Sequence, residues 1–89
     1  MSLSRILSIN LEIRAVAREV ISSQDRSMMD RLWDLLEEIY SQMEMRDRLE
    51  SLKGSLDDII PLAVVVKVVL TNLSEDLADY IFAEARYLS

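Results

Sequence analysis

Neither cysteine nor histidine occurs among the 89 residues of this chain. Their absence excludes disulfides, thiol nucleophiles, the usual zinc ligands, imidazole acid–base chemistry and histidine phosphotransfer. Glycine and proline occur once each, at Gly54 and Pro61, so few positions suit sharp turns and the chain reads as loop-poor. There is no basic excess either: 10 Lys+Arg stand against 16 Asp+Glu, a formal charge of −6 that repels phosphate backbones and anionic headgroups. Binding to nucleic acid or to a membrane would need a segregated basic patch, and the sequence holds none. The longest apolar run, Ile59 to Leu70, is interrupted by Pro61 and Lys67 and is too short to span a bilayer. The N-terminus has no apolar stretch followed by a small-residue cleavage site, so no signal peptide is expected and a cytoplasmic location is.

What the chain does have is helical periodicity. Ile6, Ile9, Ile13, Val16 and Val20 recur at three and four residues, which predicts a helix from about Leu3 to Ile21. Leu7 and Leu11 lie on its flank beside Arg14 and Arg18, leaving more apolar surface than one neighbour needs. Ser22 with Asp25 and Ser27 with Asp30 are candidate caps, since a serine hydroxyl can accept from first-turn amides, and they place a turn at 22–27.

A second helix from near Ser27 carries Met29, Leu32, Leu36, Ile39 and Met43 on one seam, flanked by Trp33, Leu35 and Tyr40. Beyond Met43 that seam would continue at Arg46, Asp47 and Glu50, whereas Met45, Leu49 and Leu52 lie on the other side. Without a glycine or proline to cause a kink in 44–47, the expected explanation is a continuous helix whose second half packs on a different neighbour. Gly54 after Lys53 predicts a helix stop, and Ser55 with Asp58 the next cap. A third helix is expected from Leu56 to Leu70. Its 63–70 segment has the β-branched content of a strand that would pair between subunits, but the four-three spacing through Leu56, Ile59, Ala63, Val66 and Leu70 favours helix. Apolar on all sides, it should be the most buried element. Asn72 or Ser74 would cap a fourth helix reaching Tyr87, with Leu73, Leu77, Tyr80, Ile81 and Leu88 inward.

The expected fold is therefore all-α: one domain over 1–89, with long antiparallel helices one and two, a Val-rich helix three and a C-terminal helix four. At this length, oligomerisation would add materially to stability.

No motif rises to a chemical site. Asp34 with Glu37 and Glu38, Glu44 with Asp47, and Asp76 with Asp79 have the spacing by which carboxylates share a magnesium ion in a nucleotide phosphohydrolase. Helical surfaces acquire such pairs by chance, and because Asp34, Glu37 and Glu38 face away from every apolar neighbour, a solvated face is the better reading. Lys53-Gly54-Ser55-Leu56-Asp57 resembles the Asp-Ser-Leu attachment site of acyl carrier proteins, which are also small, acidic and four-helical. The resemblance would make Ser55 the phosphopantetheine carrier. It covers a handful of residues, Gly54 stands where that family has aspartate, Pro61 interrupts the following helix, and helix two fills the region of a long loop. A serine cap accounts for the same residues, and no family is assigned. Leu32-Trp33-Asp34-Leu35-Leu36 has the LxxLL form of groove-binding helices, but its leucines belong to the core seam. A helix-turn-helix about Thr71-Asn72-Leu73 would present Glu75, Asp76, Asp79 and Glu84 to phosphates, which argues against DNA.

Charges and apolar groups on unexpected sides say more. Glu84 lies in the inward stripe of helix four and Arg46 in the extrapolated stripe of helix two, so a buried ion pair between Glu84 and Arg46, or Arg14, is expected, within a subunit or across an interface. Leu7, Leu11, Met45, Leu49 and Phe82 are the candidate interface. The expected function is a non-catalytic helical interaction module, a homodimer or higher oligomer that can also engage another protein, with no cofactor, metal, nucleic acid or membrane.

Overall fold

The computed structural model describes residues 3–58 and 61–88, the side chains of 87 and 88 excepted. It is all-helical: α1 (Leu3–Ser23), α2 (Arg26–Gln42), α3 (Arg46–Leu56) and α4 (Leu62–Leu88), with no strand among the described residues. The Val-rich segment 63–70 is helix. Ile59, which the spacing placed on a seam, lies outside the described residues, as does the side chain of Leu88, expected inward.

α1 and α2 form an antiparallel pair. Arg5 bonds Glu38 near one end, and Arg31 Nη2 meets Glu12 Oε1 at 2.9 Å toward the other. Ile6, Ile9, Ile13, Val16, Ala17 and Val20 of α1 are buried, as are Met29, Leu32, Leu35, Leu36, Ile39 and Tyr40 of α2. The turn is built differently from the two serine caps the sequence suggests. Gln24 adopts a left-handed conformation (φ 58°), and its N–H closes α1 on the Val20 carbonyl at 2.9 Å. Asp25 caps α2, accepting from the Ser27 amide at 2.9 Å and the Ser27 hydroxyl at 2.8 Å. Those two bonds hold its carboxyl below the ordinary carboxylate range.

The continuous second helix expected from the sequence is not what forms. α2 stops at Gln42. Glu44 turns left-handed (φ 58°), its N–H donates to Ser41 O at 3.1 Å, and the Met45 N–H donates to Tyr40 O at 2.9 Å. This is a Schellman closure, which normally recruits glycine. Here Glu44 takes the strained position, and Met45 packs against the core as the accompanying apolar contact. The half-turn rotation of the apolar face after Met43 is thus the sign of a helix break.

Gly54 and Ser55 lie inside the last turns of α3, so neither is the stop or cap that the sequence suggests. The Ser55 hydroxyl bonds back to Leu52 O at 2.8 Å. The start of α4 comes instead after Pro61, whose carbonyl receives the Val64 and Val65 amides at 3.1 and 3.2 Å. The expected boundary at Asn72 and Ser74 is absent as well. Thr71 Oγ1 and Asn72 Nδ2 bond back to Lys67 O and Val68 O at 2.8 Å, within one unbroken helix.

α4 is not apolar on all sides in its setting. Leu62, Val65, Val66, Val69, Leu73 and Leu77 are buried, while Val64 is 44% exposed. Burial then fades along the helix: Tyr80 and Ile81 are half-buried and 82–86 are exposed. With 27 residues, α4 is about 40 Å long and outruns the elements it packs on. The Cα frame measures 43 × 23 × 16 Å, room for two layers of helix in its thinnest direction.

Candidate interaction surface

Three elements meet at one polar joint. Asp76 of α4 is 4% exposed, the one buried charged residue described. Its Oδ2 accepts from the buried Tyr40 hydroxyl of α2, and its Oδ1 meets Arg48 Nε of α3 at 3.1 Å. Burial, and then the hydrogen bond to Asp76, push the Tyr40 hydroxyl well above the ordinary tyrosine range. The joint orients α4 so that its C-terminal half lies at the end of the molecule where α2 finishes and α1 begins. Tyr80 accordingly lies close enough to Glu44 and Glu84 for their charges to add to burial in raising it. A second polar contact ties α4 to α1, where Arg14 Nη2 donates to Ser74 Oγ at 2.9 Å.

The expected Glu84–Arg46 pair is not made within the chain. Both are exposed, and Arg46 folds back to donate to Ser41 Oγ at 2.9 Å. Glu84 does continue the inward stripe of Leu73, Leu77 and Tyr80. It meets solvent because α4 has passed the end of its neighbours by that point. The buried carboxylate is Asp76 instead, and its arginine is Arg48. The sequence carried a signal for this joint: Asp76 falls between Leu73 and Leu77 on the inward stripe, and an inward tyrosine needs a hydrogen-bond partner.

Of the five expected interface residues, Leu7, Leu11 and Phe82 are exposed, at 43%, 69% and 65%. Leu49 is buried, holding α3 against the core, and Met45 is half-buried in the Schellman closure, so neither is an open contact residue. Sequence reasoning missed Leu3, Ile21 and Val64, which complete the set of exposed large hydrophobics among the described residues. All six of that set lie on α1 or α4, and none lies on α2 or α3.

The candidate chemical residues are dispersed. Glu37 accepts from Lys53 at 3.2 Å, and that ammonium also stands 5.5 Å from the Trp33 ring centroid. Glu38 is bonded to Arg5. No group of three carboxylates able to hold a metal forms among the described residues. Ser55 is on the wall of an open cleft of about 490 Å³ between α3 and α4, in the closing turn of α3 rather than at the head of a helix. Leu32, Leu35 and Leu36 of the LxxLL segment are buried.

The chain matches no protein-family model, no curated protein and no solved structure. No described helix is long and apolar enough to cross a membrane.

Proposed function

We propose that this chain is a non-catalytic helical protein–protein interaction module, acting as a homo-oligomeric adaptor, regulator or assembly factor. The observation that carries the reading is the segregation of exposed large hydrophobics onto α1 and α4, with none on α2 and α3. Scattered apolar surface residues are ordinary, but their concentration on neighbouring helices marks a contact surface. The small size of the chain works in the same direction, since the slab is two helices thick and a partner would supply the cover its own length does not. A double substitution tests this. Leu11→Ser with Phe82→Ser should leave the helical content intact, because both side chains are exposed, and should weaken association measured by sedimentation velocity by about tenfold or more. Unchanged association would contradict the reading.

A further inference from the structure

The exposed residues of α1 and α4 follow matching patterns. On α1, Leu7, Leu11, Arg14, Arg18 and Ile21 are spaced 4, 3, 4 and 3 residues apart, and Leu3 extends the line by one turn. On α4, Thr71, Glu75, Ala78, Phe82 and Ala85 have the same spacing, and Val64 extends it by two turns. This alternation lets two helices pack along their length at a small crossing angle. Within the chain both seams are uncovered, apart from Arg14, which is half-buried on the side where it reaches Ser74.

Charge decides what covers them. The α1 seam carries only cations, Arg14 and Arg18, while the α4 seam carries Glu75 with Asp79 beside it, and Lys67 and Arg86 stand about two turns away on either side. Stacking α1 on another α1 would bring arginine to arginine, and stacking α4 on another α4 would bring acid to acid. Laying α1 on α4 brings opposite charges together along an apolar line, with Arg18 facing the Glu75 and Asp79 segment.

We propose that a second copy of this chain covers the face formed by α1 and α4, arranged crosswise about a two-fold axis, so that α1 of each copy lies on α4 of the other. The arrangement rests on the self-associating reading above and specifies its geometry. It is isologous and closed, as a stable homodimer requires. Two helices side by side over the length of α1 present about 600 Å², at the lower end of the ~600–1,000 Å² per partner of standard interfaces. Leu11 and Phe82, the two most exposed of the large hydrophobics, would be enclosed, with Arg18 against the acidic side chains of the partner's α4.

Charge reversal tests the crosswise geometry. Arg18 and Glu75 are both exposed, so Arg18→Glu and Glu75→Arg should each keep the helical circular-dichroism signal. Each variant alone should self-associate about tenfold more weakly than the native chain, because like charges then meet in both copies of the contact. Mixing the two variants should restore native-strength dimers, since a mixed pair again sets opposite charges together at both contacts. Native dimers in which the mixture stays as weak as its components, or in which Glu75→Arg has no effect, would overturn this geometry while leaving self-association standing. A native chain that is monomeric at every concentration would remove both.

Discussion

Tyr40, Asp76 and Arg48 share one buried carboxylate, and each contributes a different property. The tyrosine ring fills core volume at 0% exposure. Its hydroxyl saturates Asp76 Oδ2, and Arg48 supplies the countercharge that makes a buried carboxylate tolerable. Tyr40→Phe would leave Asp76 with one partner, and we expect a loss of about 1–3 kcal/mol in urea unfolding at neutral pH. The hydroxyl also gives a sign for alkaline pH. In the unfolded chain it ionises near the ordinary value of about 10. In the folded chain burial and Asp76 raise it above that value. Folded protein therefore holds more protons above pH 10, and stability, fully present below that point, falls as pH rises through the folded value. Stability measured against pH should drop above about pH 10, and Tyr40→Phe should flatten that drop, Tyr80 contributing in the same direction. An unchanged slope in the variant would show that Tyr40 is not the linked group.

At the scale of elements, the helices were legible from the sequence and their punctuation was not. The apolar spacings of α1 and of α2 as far as Met43 give those helices correctly, and the same spacing resolves 63–70 in favour of helix. The breaks are misread because the signals for stopping sit on residues that usually do not stop helices. Glu44, which has a Cβ and intrinsically disfavours the left-handed region, closes α2 because Met45 finds an apolar seat there. Gly54, the residue that usually stops helices, lies inside α3, where a Cβ added to it would meet nothing within 4 Å. Two substitutions in opposite directions, to glycine at 44 and away from it at 54, should therefore both stabilise. Glu44→Gly should raise the melting temperature, by roughly 1 kcal/mol of stability, because glycine accepts the left-handed conformation that Glu44 is held in. A continuous helix through 44 would give a loss of similar size. Gly54→Ala should also stabilise, by about 0.5–1 kcal/mol, as an alanine placed in a helix interior does. A loss there would mean that position 54 is a left-handed cap after all.

For the whole molecule, the sequence announced surplus apolar surface but only partly located it. Leu7, Leu11 and Phe82 stand out on any helical projection. A continuous second helix would turn Leu49 and Met45 outward with them, and the break at Glu44 turns them in. Leu3, Ile21 and Val64 were missed for a related reason: only the packing of four helices into two layers shows which flank of each helix is left without a neighbour. The buried charge follows the same logic. Glu84 keeps the inward periodicity, but a helix of about 40 Å carries it beyond the body of the molecule, and Asp76 meets the arginine instead. A second copy of the chain over the exposed face of α1 and α4, as proposed, doubles the mass of the particle in solution. The most direct measurement is the solution mass by light scattering over a concentration series. About twice the chain mass of 10.3 kDa, persisting to low micromolar protein, is expected. A mass that stays at that of one chain throughout the series would contradict the proposed dimer.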